Sequence, residues 1–345
     1  MTAKNLYVHF PFCRRKCTYC ALHSKAGSKP PERQDYADRI SKAIESLPDG
    51  VFSTVYFGGG SPALCDLRPV FKALEKRIAP DTEFTVELHP LDVKEQILDT
   101  LRAGGVNRIS MGVQSLDDGI LASMGRGYGC SAAKRAFDLV KSRFENAGID
   151  LIAGYPAPEG KRNHSEEMEK LSGWGLKHCS VYSLILEEKS ALASSPLAGS
   201  IPPEGEVLDD IARISGILAE MGLVRYEISN YAEPGFECRH NMSVWRGEDY
   251  IGIGEGAHGR VGLIRTRDWF GGNEGTEEVS SGYDAVERKI FSLRTREGLD
   301  AGTNREWHRI LQGYVSEGLL TKEGTVYRLT ARGTEVCDSI LADLV

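Results

Sequence analysis

The chain predicts an α/β fold built on a parallel sheet, and three observations carry that expectation. Short apolar runs alternate with amphipathic stretches over the first two-thirds of the sequence; glycine-rich turns follow the apolar runs; and each interval between runs is long enough for a helical crossover. Strand-like runs end at residues 7–10, 55–57, 84–88, 108–113, 149–153 and 180–186. Helical patterns fall between them at 35–47, 67–78, 94–103, 132–144 and 165–174. Pattern alone does not separate a doubly wound sheet from a barrel. Both place their chemistry at the C-terminal ends of the strands, where these glycine turns lie.

Beyond residue 200 the organisation changes. Pro202 and Pro203 open a helix whose apolar positions Val207, Ile211, Ile214, Leu218 and Met221 step by four and three. An irregular segment rich in Gly, aromatic residues and His runs from Tyr226 to about residue 275. The tail from about Thr303 reads as helix, short hairpin at 325–329, and helix, which suggests a winged-helix-like module. Its five Lys and Arg face six Asp and Glu, so duplex DNA is not an expected ligand.

With 345 residues the chain can bury a large core, and its net charge of −7 argues against a general polyanion binder. No apolar run reaches the roughly 20 residues that span a bilayer, and residues 1–12 lack the features of a signal peptide. A cytoplasmic protein is expected. Five of the eight cysteines, Cys65, Cys130, Cys179, Cys238 and Cys337, are scattered and read as buried small hydrophobes. The other three crowd into eight residues, which in a large chain without a signal suggests metal rather than disulfides.

That cluster is Cys13-Arg-Arg-Lys-Cys17-Thr-Tyr-Cys20, directly after the first strand. Three thiolates at this spacing suit three irons of a cubane and leave a fourth iron open, as catalytic metal sites require. Arg14, Arg15 and Lys16 offset the negative charge. The rival is a zinc site completed by His9 or His23. Gly58-Gly59-Gly60-Ser61-Pro62 ends the second strand; such a turn lets a ligand approach the backbone closely, or is simply a tight turn. A phosphate loop is excluded by the lack of a following Gly-Lys-Ser/Thr.

These motifs resemble the radical S-adenosylmethionine (SAM) superfamily, whose signature is C-x3-C-x2-C. The resemblance implies a partial (β/α)6 barrel and a [4Fe–4S] cluster on Cys13, Cys17 and Cys20. It implies that the open iron chelates SAM, which one electron cleaves to methionine and a 5′-deoxyadenosyl radical. It further assigns SAM contacts to Gly59, Gly60 and Ser61, the last standing where relatives have Thr. Glu87 (in Glu-Leu-His89-Pro, where relatives have Asn for His89), Gln114, Arg126 and Asp150 join them. So do Tyr7, Tyr19 and Ile185. Tyr155 and Ala157 depart from the family pattern after Asp150.

The run Tyr7-Val-His-Phe-Pro-Phe-Cys13 resembles the branch that holds oxygen-independent coproporphyrinogen III oxidase and its heme-chaperone relatives. Leu22 stands where the oxidase carries a fourth cysteine, Cys13 lies near residue 1, and the stretch from Arg225 to Asn241 resembles the chaperone group. That group binds heme near H-N-x-x-Y-W, here His240-Asn241-Met-Ser-Val244-Trp245 with Val for Tyr. The resemblance implies His240, Asn241 and Trp245 as heme contacts, and heme or a porphyrin, an acceptor hemoprotein and an electron donor as partners. A homodimer stays open. An oxidative decarboxylase of coproporphyrinogen, or an anaerobic heme-modifying radical enzyme, stays as the alternative. Gly254-Glu-Gly256-Ala-His-Gly259 imitates a dinucleotide fingerprint, with Glu274 at a tempting distance, but an extended run rather than a helix follows it. By resemblance it lines the substrate end of the pocket. The expected division is 1–200 barrel, 201–300 α/β extension with the His-Asn motif, and 301–345 winged-helix-like module.

Overall fold

The structure, a computed structural model, describes residues 3–160, 162–271 and 275–345. Six strands follow the predicted order: β1 Asn5–Phe10, β2 Thr54–Gly59, β3 Glu83–Leu88, β4 Arg108–Gln114, β5 Asn146–Ala153 and β6 His178–Ser183. Each pairs in parallel with the next. Parallel neighbours need a crossover, and the chain supplies helices for it. These are α1 Pro30–Glu45, α2 Arg68–Leu74, α3 Glu95–Ala103, α4 Asp118–Ser123, α5 Cys130–Lys141 and α6 His164–Ser172.

The period of two along each strand sorts the residues between two faces. Leu6, Val8 and Phe10, Val55 and Phe57, Phe84 and Val86, Ile109 and Met111, and Ile149 and Leu151 join the main apolar core with the helices. The alternate positions carry Tyr7, Tyr56, Glu87, Arg108, Ser110, Asp150 and Ser180. The sheet is thus apolar outside and polar inside. The (β/α)6 expectation holds as an open, partial barrel: β1 and β6 do not pair with each other.

Helix α7, Glu204–Glu220, follows β6, and two short strands, β7 Val224–Arg225 and β8 Asn230–Ala232, extend that edge antiparallel. After α8, Arg239–Trp245, the chain crosses to the opposite edge. There β9, Tyr250–Ile253, pairs in parallel with β1, and β10 His258–Val261, β11 Ile264–Arg267 and β12 Thr276–Glu278 continue antiparallel. Among the described residues the result is one sheet of twelve strands. Helix α9, Ser281–Ile290, then leads to the tail. There α10, Arg305–Ser316, packs on a three-stranded sheet of β13 Leu299–Asp300, β14 Leu320–Glu323 and β15 Val326–Leu329. The predicted hairpin span covers its second arm. Short helices α11, Ala331–Glu335, and α12, Cys337–Ala342, follow, and the tail has its own core of Leu299, Trp307, Leu311, Leu320, Tyr327 and Ile340.

Candidate active site at the C-terminal ends of the strands

A cavity of about 610 Å³ opens at the C-terminal ends of β2 to β6. Cys13, Cys17, Cys20 and Tyr19 line it from the loop after β1; Gly59, Gly60, Ser61, Glu87, Gln114 and Asp150 from strand ends; and Arg126 and Ile185 from later loops. Residues 100 positions apart in sequence meet here because the parallel order brings every strand end to one rim.

The cysteine loop is held from several sides. Phe12–Cys13 and Lys25–Ala26 close it as a two-residue parallel ribbon. Thr18 donates from its amide to Met124 O at 3.1 Å and from its hydroxyl to Ser123 O at 3.1 Å, and its carbonyl accepts from Leu192 N at 2.7 Å. The glycine turn lies against the same loop: Gly60 N donates to Phe10 O and Ser61 N to Phe12 O, each at 2.7 Å. A Cβ on Gly60 would stand 2.5 Å from Phe12 O and 2.9 Å from the Cys13 sulfur. Glycine is therefore required here by close approach, a constraint stronger than that of a tight turn alone.

Arg126 bridges the parts. Its Nη1 donates to the Cys17 sulfur at 3.2 Å and to Tyr19 Oη at 3.4 Å, its Nε to Tyr128 Oη at 3.0 Å, and its Nη2 to Gly112 O. Gln114 sits beside a bulge in β4 with φ of +75°, a conformation rare for a residue with a Cβ and found where a side chain is re-aimed. Glu87 accepts from Tyr56 Oη at 2.8 Å and from Gly59 N at 3.1 Å. Burial, and next the Asp150 carboxylate, push its pKa up to about 7. Asp150 accepts from Ser110 Oγ at 3.0 Å.

The thiols fit an iron–sulfur centre. Burial, reinforced by the neighbouring Cys20 and Cys17, pushes the Cys13 thiol up to about 11, so bare thiolates are disfavoured and a cationic centre would relieve them. Of the two candidate fourth ligands of a zinc site, His9 has both ring nitrogens engaged. His9 contacts Tyr7 Oη at 3.0 Å through Nδ1 and the His23 carbonyl at 2.9 Å through Nε2; His23 contacts Glu255 at 3.3 Å. Among the described residues, no three His, Cys, Asp or Glu side chains are grouped as around a single metal ion.

Asp92 was not read from the sequence. It is 1% exposed, accepts from Ser61 Oγ at 2.5 Å and pairs with Arg14. The Ser61 hydroxyl is therefore turned toward Asp92. Tyr56, Tyr128 and Tyr182 were missed as well. Their signal was available in the case of Tyr56 and Tyr182, since each occupies the inward phase of a strand whose other phase is apolar.

Four expected ligand contacts lie elsewhere. Tyr7 is beneath the glycine turn, against Tyr56 at 6.0 Å between ring centroids, and does not line the cavity. His240 is 5% exposed, its Nδ1 at 2.8 Å from Thr54 Oγ1, near the N-terminal end of β2. Burial, and next the Arg108 charge, lower its pKa to about 3. Asn241 lies beside it on α8, and Trp245 packs against Phe291 and under the Arg294 guanidinium.

The Gly254–Gly259 segment also departs from expectation. A hairpin follows it, as predicted, but it does not line the substrate end of this cavity. Because β9 pairs alongside β1, the loop leaving β9 settles on His9, Tyr36 and His23 instead. Glu255 pairs there with Lys25 at 2.7 Å. Glu274 lies outside the described residues.

Comparison with known proteins agrees with this geometry. The profile of the radical SAM superfamily matches residues 7–161. Heme chaperone HemW of Mycobacterium tuberculosis (strain H37Rv) is 30% identical over 99% of this chain and 94% of its own length. Heme chaperone HemW of Escherichia coli K12 is 33% identical over 74% of this chain and 70% of its own. Coproporphyrinogen III oxidase HemN from Escherichia coli superposes with a TM-score of 0.82 at 20% identity, covering 99% of this chain and 90% of that one, a likeness of fold. With a thiol loop, a glycine turn and a polar strand-end rim in one cavity, and a relative 30% identical over 94% of its own length, the chain belongs to the HemW family of radical SAM proteins.

Proposed function

We propose that the chain is a heme chaperone that binds heme and passes it to acceptor hemoproteins, with a [4Fe–4S] cluster on Cys13, Cys17 and Cys20 and SAM in the adjoining cavity. The observation that carries this reading is the match to a heme chaperone over 94% of that relative's length. When bound, the cluster supplies the electron that cleaves SAM. The chain's own residues have separable tasks. Gly59 and Gly60 leave room for the methionine end of SAM, and Glu87 offers a carboxylate to its ammonium. Gln114, Asp150, Tyr19 and Ile185 line the remainder. Arg126 places a positive charge on the Cys17 sulfur and restrains the loop. Tyr7 supports the turn from below.

The reading includes an electron donor for the cluster and a cytoplasmic location; no helix among the described residues is long and apolar enough to cross a membrane. It also retains the division into 1–200, 201–300 and 301–345; a second core runs from Ile290 to Leu344 and so begins before the last boundary.

A heme titration followed by UV–visible absorption, beside an anaerobic decarboxylation assay with coproporphyrinogen III, tests the proposal. Stoichiometric heme binding without decarboxylated product is expected. Porphyrin product at enzyme-like rates would establish the oxidase alternative instead.

A further inference from the structure

Asp92 is buried where a carboxylate is costly unless its charge is met, and neither of the turns it touches needs it for closure. It ends the tight turn Pro90–Asp92 that follows β3. Leu91 N donates to His89 Nδ1 at 3.2 Å, as to the side-chain oxygen of an Asx turn, and Asp92 N donates to His89 O at 2.8 Å. The glycine turn opposite is likewise closed by its own backbone: Ser61 N donates to Phe12 O at 2.7 Å and Leu64 N to Ser61 O at 3.1 Å. Among the described residues the Asp92 carboxylate bonds to side chains alone. Its Oδ2 accepts from Ser61 Oγ at 2.5 Å and its Oδ1 from Arg14 Nε.

A hydroxyl carries one proton, and a carboxylate can only accept. Ser61 therefore gives its proton to Asp92, and its oxygen keeps only lone pairs for the cavity that Ser61 lines. Such an oxygen accepts from an amino group and cannot donate to a carboxyl group. That polarity matters at the methionine end of SAM, which carries one group of each kind. Arg14 meets the charge of the same carboxylate and lies between Cys13 and Cys17 in the chain, so Asp92 joins the cluster loop to the glycine turn.

We infer that Asp92 is a positioning residue for SAM: by taking the one proton of the Ser61 hydroxyl while paired with Arg14, it makes that oxygen an obligate acceptor for the amino group of the methionine end. The inference rests on the reading of the cavity as a SAM site and adds to it a residue that sets the direction of a hydrogen bond. Asp92 acts through Ser61, as a support that locks a ligand contact before the ligand arrives. Asp92→Asn keeps the shape and reverses the polarity. Its side-chain oxygen is needed by the Arg14 donor, so its amide donates to Ser61 and the hydroxyl proton turns to the cavity.

The test is calorimetric titration of cluster-loaded protein, at matched iron and sulfide content, with SAM and with 5′-methylthioadenosine, which lacks the amino and carboxyl groups. The proteins are the wild type, Asp92→Asn, Ser61→Ala, Ser61→Thr and the double variant Asp92→Asn with Ser61→Ala. Asp92→Asn should weaken SAM binding roughly ten-fold, the scale of one hydrogen bond at a charged group, and leave 5′-methylthioadenosine unaffected. Ser61→Ala should show the same selective loss, and the double variant should lose no more than either single change. Ser61→Thr, which keeps the hydroxyl, should bind SAM as the wild type does. Wild-type SAM affinity in Asp92→Asn, an equal loss for both ligands, or additive losses in the double variant would overturn the inference and leave the SAM site standing. Should Asp92→Asn take up no cluster, Ser61→Ala decides alone: undiminished SAM affinity there overturns the inference. A cluster-loaded wild type that binds no SAM would overturn the SAM reading as well.

Discussion

Arg126 has more tasks than its place in the loop after α4 suggests, because one guanidinium serves Cys17, Tyr19, Tyr128 and a backbone carbonyl. Lysine carries the charge without the planar fork and cannot replace these contacts together. Arg126→Lys should lower SAM affinity by roughly 1.5–3 kcal/mol, the range for hydrogen bonds to charged groups, measured by calorimetry on cluster-loaded protein. Gly60→Ala should act earlier. Its Cβ meets a carbonyl and the Cys13 sulfur, so reconstituted protein should bind markedly less iron and sulfide than the wild type.

Glu87 allows a pH prediction with a definite sign. Its folded-state pKa of about 7 lies above the ordinary carboxylate value, so the folded state favours the protonated form. The resulting stabilisation is complete below the unfolded value and is lost as pH rises through about 7. A cation placed beside Glu87 favours the ionised form. SAM binding at pH 6 should therefore release protons to the buffer, detected as a dependence of binding enthalpy on buffer ionisation. Glu87→Gln should remove that dependence; if it persists, the ammonium lies elsewhere.

At the scale of elements, α8 shows how a short helix is fixed by a residue far away in sequence. Glu83, at the start of β3, accepts from Arg239 N at 2.9 Å and His240 N at 3.0 Å. These are the unpaired amides of a helix N-terminus, where a carboxylate is favoured. Glu83→Ala leaves the His240 amide buried and unmet, at a cost of about 1–3 kcal/mol. Hydrogen exchange should show faster exchange in 238–245 than in the core strands.

The β1–β6 order and their helices were legible because period-two and helical patterns are local. The thiol loop was legible because its spacing is covalent. The placement of His240 was not. A motif states which residues are neighbours in the chain, while burial depends on what the fold brings over them, here Tyr7, Tyr56 and Thr54. The role of Asp92 was hidden for the same reason, since Ser61 and Arg14 meet it only after β2 and β3 are paired.

Over the whole molecule, the tail is the part whose core stands apart. Trp307 is 6% exposed, with Nε1 donating to Leu344 O at 3.2 Å. Trp307→Ala should cost about 3–5 kcal/mol locally, loosening the tail to proteolysis while the cluster cavity keeps its SAM affinity. Outside the tail, the described strands form one large sheet and the small ribbon that closes the cysteine loop. The pairing of β9 with β1 was not legible, because a four-residue strand with polar flanks gives no sign of which edge it will join.

That pairing also sets a schedule. Asn5 faces Tyr250 across it, and synthesis proceeds at about 5–20 residues per second. β1 is therefore made roughly ten to fifty seconds before its outer neighbour exists. Through that interval its amides and carbonyls form an open, apolar edge of the kind that recruits other chains. The nascent protein is most vulnerable at the strand that, once folded, stands in the middle of the sheet and feeds the cysteine loop.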